Sequence, residues 1–180
     1  MSDLDEFLAR KRAALTAFKD AFMADPQPVE FSASVEVRGR SGVRVIRIRQ
    51  FELINDTGPA TAGFDLGPKS PEHLLAALGG CIAHSAEMIA AMMCLSVDEI
   101  GVEVSALAHP LGQTPGFESF PITPYNLKYT LTISSSEPAE RIEDLHREIE
   151  ATCPVLNLLK TPQPIAGRLE HFASCPDIAA

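Results

Sequence analysis

The sequence predicts an α+β fold, on three observations. Strand-like and helix-like runs follow one another in the order β-β-α-β-β-α-α-β, in pairs rather than in strict alternation. One helical run is apolar almost all the way round, which marks a central helix. A chain of 180 residues with 46% apolar and 22% charged side chains is also long enough to bury one real core. The net charge of -9, with its basic residues dispersed, excludes nucleic acid as the main partner and disfavours an anionic membrane surface.

The first run, residues 3 to 24, places Leu4, Phe7, Leu8, Leu15, Phe18 and Phe22 near helical spacing, and Asp25-Pro26 closes it. This amphipathic leading helix is expected to be a packing or dimer-contact element, residues 1–25 forming an extension to a domain of residues 26–180. Its charges (Asp3, Asp5, Glu6, Arg10, Lys11, Arg12, Lys19, Asp20) leave no apolar region for a signal peptide. No uninterrupted apolar stretch of roughly 20 residues is read as a membrane helix, so the chain is expected to be cytoplasmic and not to engage a membrane.

From Glu30 to Ile54 the pattern becomes β-like, with Val35 and Val37 before the break Arg38-Gly39-Arg40-Ser41-Gly42, read as a hairpin turn. The run after the break carries Val43, Val45, Ile46, Ile48, Phe51 and Leu53. It does not alternate cleanly, which predicts a bulge or burial on both faces. Asn55 to Lys69 reads as a loop. Ser70-Pro71-Glu72 starts the central helix, with serine as the cap, proline in the first turn and an acidic residue behind it. That helix runs to about Cys94. Gly79-Gly80 in its interior costs about 1 kcal/mol per glycine relative to alanine, so close approach of a ligand or a crossing helix to the backbone is expected there.

Strands are predicted over Val97 to His109 and Tyr125 to Ser134, the latter with Leu127, Tyr129, Leu131 and Ile133 on one face, separated by a loop rich in proline and glycine. Glu137 to Ala151 reads as a charged amphipathic helix. A short helix follows from Cys153 to before Pro162, and Pro164 to Phe172 is expected to close the sheet as an edge strand.

Four cysteines are too few for a structural disulfide framework, so any disulfide would be transient and catalytic. Cys81 and Cys94 lie thirteen residues apart on one helix, about 20 Å along the axis and on nearly opposite faces, and cannot pair within the chain. Cys94 reads as a small core residue and Cys175 as an incidental thiol near the C-terminus. Cys81 follows the diglycine. Cys153 opens a helix, where unsatisfied backbone N–H groups favour a thiolate. A redox pair of Cys81 and Cys153 is one reading of this placement, and spacing does not decide it.

Pro71-Glu72-His73-Leu74-Leu75-Ala76-Ala77-Leu78-Gly79-Gly80-Cys81, combined with Cys153-Pro154-Val155-Leu156-Asn157, resembles the OsmC/Ohr family of osmotically inducible and organic hydroperoxide resistance proteins. The likeness spans roughly residues 30 to 173, and the diglycine resembles the broader OsmC-like branch. It implies an intertwined homodimer in which two central helices are wrapped by antiparallel β-sheets. It also implies an antioxidant peroxidase reducing organic hydroperoxides, with Cys81 peroxidatic, Cys153 resolving, a dithiol as reductant, and neither metal nor cofactor. The family's arginine corresponds best to Arg40, with Arg38 next, and its glutamate to Glu72. Glu72 stands nine residues before Cys81, one fewer than the Ohr branch implies, a rotation of about 100° around the helix.

Two other functions fit the same residues. One is a dimeric binding protein for a small lipophilic ligand, with Phe117 and Phe120 as lids. The other is a general thiol or disulfide reductase. Cys81, His84 and Glu87 fall at successive i, i+3 steps; His84 could modulate Cys81 or be a hydrogen-bonded structural residue, and no Cys-x-x-Cys or His-Glu-x-x-His pattern completes a metal site.

Overall fold

In the computed structural model, which describes residues 2–172, two antiparallel sheets and four helices follow the order α1 (Asp3–Met23), β1 (Ser34–Arg38), β2 (Val43–Ile48), β3 (Phe51–Asn55), α2 (Ser70–Met93), β4 (Glu99–Leu107), β5 (Tyr125–Ser134), α3 (Ala139–Thr152) and α4 (Pro154–Lys160). The strands form one sheet ordered β1-β2-β3 and a second made of β4 and β5. The predicted hairpin turn is the short helical turn Gly39–Ser41, where Gly39 and Gly42 take positive φ. The following run is not one bulged strand. It folds back at Arg49-Gln50 so that Ile48 pairs with Phe51, and Arg49 adopts φ 53°. This turn contains neither glycine nor proline, so the sequence carried no punctuation for it.

Alternation gives the second sheet one inward face. Ile100, Val102 and Val104 stand opposite Ile133, Leu131 and Tyr129, and all six pack on the core. That core is built on α2, whose Leu78, Ile82, Ala86, Ala90 and Ala91 are buried with Leu145 and Ile149 of α3 and Leu156 of α4. By length and composition α2 could cross a membrane, since an 18-residue window has mean hydropathy 1.5, contrary to the sequence expectation. In this fold it is the central helix, buried along one face and open along the other.

Helix α1 docks across the C-terminal half of α2. Leu8 is buried, Lys11 Nζ lies 2.6 Å from Glu87 Oε2, and Arg12 Nε donates to the Ala91 carbonyl. The Asp5 carboxylate accepts from the Ser2 amide, the Val97 amide and Ser96 Oγ, and these bonds hold its pKa below the usual carboxylate value. Past this contact Phe18, Phe22 and Met23 are exposed. The loop after β3 is organised by the buried Asp56, which accepts from the amides of Thr57, Phe64 and Leu66 and is likewise held low.

Three local expectations are corrected. The cap of α2 is Lys69, whose amide donates to Glu72 Oε2 at 2.6 Å, and Ser70 is the first helical residue. Cys94 is exposed rather than buried, because α2 ends there in a left-handed residue that carries it out of the apolar stripe. Residues 164–172 form no strand with this chain, and Ile165, Leu169 and Phe172 are exposed. Phe117 and Phe120, read as lids of an interface pocket, stack together, and Phe120 lies 3.7 Å from the His109 ring. Cys175 lies outside the described residues.

Candidate active site

Proline explains where Cys153 sits. Pro154 disfavours helical geometry in the residue before it, so α3 stops and Cys153 takes φ -64°, ψ 116° before α4 starts. Cys153 therefore caps both helices at a kink and does not lie within the first turn as expected. Its amide donates to the Ile149 carbonyl. The Asn157 side-chain amide donates to the carbonyls of Cys153, Glu150 and Ala151, which binds the end of α3 and the start of α4 into one unit.

The kink turns Cys153 inward, fully buried against α2, with its Sγ 3.4 Å from Cys81 Sγ. Cys81 is half-buried and lies eleven residues into α2. Burial pushes its pKa up, aided by the Cys153 thiol, while the Val155 amide and the Ser85 hydroxyl oppose that shift. One amide from α4 reaches the Cys81 sulfur, and loss of water costs the thiolate more than that bond returns.

The diglycine divides in two: a strand, not a crossing helix, explains Gly79, and nothing in the described structure explains Gly80. A methyl group on Gly79 would meet Val104 of β4 at 3.2 Å, so the strand needs a glycine there. A methyl group on Gly80 would meet nothing within 4 Å. Gly79 lets the sheet seat against the helix two residues before Cys81.

The other predicted site residues are not brought to the thiols within the chain. Glu72 is turned toward the start of α2, where it caps the Lys69 amide. Arg40 is exposed in the Gly39–Ser41 turn and makes no ion pair among the described residues, and Arg38 pairs with Glu36 at 3.3 Å. His84 points into solvent beside Lys11 Nζ, 3.4 Å away, which removes it as a modulator of Cys81. His73 is half-buried and bonds the Ile54 carbonyl.

A family model for OsmC-like proteins matches residues 63–166, more than half of the chain and including both cysteines. The chain belongs to the OsmC-like family. No curated protein matches it. Among solved structures, an OsmC-like protein from Mycoplasma pneumoniae aligns at TM-score 0.63 and 15% identity, covering 76% of this chain and 91% of the other. An organic hydroperoxide resistance protein from Legionella pneumophila aligns at TM-score 0.54 and 13% identity, covering 74% and 91%. An OsmC-like protein of unknown function from Vibrio cholerae aligns at 0.56 and 16%, covering 74% and 96%. At these identities the likeness establishes the OsmC-like fold; α1 and β1 to β3 precede the residues the family model matches.

Sequence reasoning missed several groups around this OsmC-like thiol pair. Ser85 lies one turn after Cys81 on the same face, which the i, i+4 rule would have found. The Val155 amide is reachable only once the kink at Cys153 is known. Tyr129 shares one face of β5 with Leu131 and Ile133, as the alternation predicts, but its partners on α3, His146 and Glu150, read as ordinary surface charge. A pocket of about 300 Å³ adjoins the site, lined by Leu78, Leu127, Tyr129, Leu156 and Leu159 with Lys128 and Lys160.

Proposed function

We propose that this protein is a thiol-dependent peroxidase that reduces organic hydroperoxides, with Cys81 as the peroxidatic and Cys153 as the resolving cysteine. The observation that carries the reading is the 3.4 Å contact between two free thiols that are 72 residues apart in the chain. In this reading the Cys81 thiolate attacks the distal oxygen of ROOH. The O–O bond breaks, ROH leaves after taking a proton, and Cys81 becomes a sulfenic acid. Cys153 then displaces water to form the disulfide, which a dithiol reduces. The apolar pocket between Leu78 and Leu156 supports an organic rather than a purely aqueous peroxide.

A homodimer is part of the proposal. One face of the first sheet carries Val35, Val37, Ile46, Ile48, Phe51 and Leu53, and exposes Val35 at 59% and Val37 at 65%. An apolar face of this kind marks an interaction site, and a second copy is the partner proposed. Any role for Arg40 or Glu72 at the thiols then depends on that copy. A cytoplasmic location and a small or protein dithiol reductant complete the reading.

The test is rapid mixing of the full-length protein with cumene hydroperoxide. A Cys81-Cys153 disulfide should form at one equivalent, Cys81→Ser should consume no peroxide, and Cys153→Ser should complete one turnover without a second. Unreacted thiols would overturn the peroxidase and favour the lipophilic-ligand protein that the same pocket would serve.

A further inference from the structure

Tyr129 stands between the thiol pair and a wide groove that separates β5 from α3. The groove has a volume of about 840 Å³. The tyrosine ring packs on the core that contains Cys153, while its hydroxyl oxygen lies 2.8 Å from His146 Nε2 and 3.2 Å from Glu150 Oε1. His146 and Glu150 are four residues apart and so share one face of α3. Glu150 belongs to the last turn before Cys153, the turn that Asn157 binds to the kink. One hydroxyl from the sheet is thereby tied to the helix end that presents the buried thiol.

We infer that Tyr129, acting through His146 and Glu150, is a positioning residue that sets how fast Cys153 closes on oxidised Cys81. This rests on the peroxidase reading. In the resolving step the Cys153 thiol loses its proton and its sulfur attacks the Cys81 sulfenic sulfur. The S–O bond breaks, and the departing hydroxide takes up a proton to leave as water; Cys153 sulfur is oxidised and the sulfenic sulfur reduced. Reacting atoms at 3 to 3.5 Å are in near-attack range, and the sulfurs stand at 3.4 Å. They must still close by about 1.4 Å to reach bonding distance. A tie that keeps the kink against α2 holds this contact populated, and its loss lets Cys153 drift.

Tyr129 has one proton to donate, and burial together with the Glu150 carboxylate pushes its pKa up to about 12, so the hydroxyl keeps that proton. The hydroxyl donates to Glu150 Oε1 while its oxygen meets His146 Nε2, so one hydrogen-bonded chain joins β5 to successive turns of α3.

The experiment separates the two chemical steps by stopped-flow and quenched alkylation of the full-length protein with cumene hydroperoxide. Tyr129→Phe keeps the ring and removes the hydroxyl; His146→Leu and Glu150→Leu remove its two partners on α3, which lie outside the pocket beside the thiols. Expected are disulfide formation at least about fivefold slower in all three variants, with peroxide consumption within about twofold of wild type in His146→Leu and Glu150→Leu. Equal disulfide rates in wild type and variants would overturn the inference, as would slowing of both steps together with a lowered Tm. Absence of any disulfide in wild type is the distinct result that removes the peroxidase reading and this inference with it.

Discussion

Cys81 is kept as a thiol by its surroundings, which has a direct consequence for reactivity. Its pKa is raised chiefly by burial, against the Val155 amide and the Ser85 hydroxyl. The reactive thiolate fraction therefore grows about tenfold per pH unit through neutrality. Alkylation of Cys81 by iodoacetamide, followed by peptide mapping, should still be accelerating at pH 9. Ser85→Ala removes a donor to the thiolate and should slow that alkylation a few-fold at pH 8 without moving Tm by more than a degree or two. The linkage sign follows: a raised thiol pKa contributes stability below the ordinary thiol value, and that contribution is lost as pH rises through the raised one. Cys94, exposed at the end of α2, should alkylate readily in the same experiment and serves as its internal reference.

At the scale of elements, the close approach of α2 and β4 depends on Gly79. Gly79→Val should destabilise the fold by about 1–3 kcal/mol in urea unfolding, because Val104 already lies at 3.2 Å from where its Cβ would stand and the strand backbone limits retreat. Gly80→Ala, with open space around it, should gain up to about 1 kcal/mol of helix propensity in the same assay. The contrast distinguishes two adjacent glycines that the sequence presents as one motif. The short helix α4 illustrates the reverse case, in which a local rule decides a global contact: Pro154 breaks the helix, the break turns Cys153 inward, and the turn supplies the thiol–thiol contact.

For the whole molecule, assembly is governed by the apolar faces left bare. The apolar side of the first sheet, the outer side of α2 and the end of α1 are all exposed, with Leu53 at 42% and Phe18 at 59%. If a second copy covers the sheet, Leu53→Asp should convert a dimer into a folded monomer in sedimentation equilibrium, with circular dichroism unchanged. A wild-type monomer at micromolar concentration would remove the dimer from the proposal.

Much of the fold was legible because periodicity is a local property: α1, α2, the alternating faces of β4 and β5, and the amphipathic α3 all follow from the spacing of apolar residues. The Arg49-Gln50 turn was not, because its positive φ falls on an arginine, and neither was the failure of residues 164–172 to join a sheet, since pairing needs a partner edge. The site divides in the same way. Sequence by itself determined which cysteines stood in distinctive surroundings, that a proline followed one and a diglycine preceded the other, and through those blocks the family. Only the tertiary structure decided that Cys81 and Cys153 touch, that burial outweighs the Val155 amide in setting the Cys81 pKa, that Glu72 caps its own helix, and that Tyr129 meets His146 and Glu150. Distance and desolvation arise between segments remote in sequence, and no local pattern encodes them.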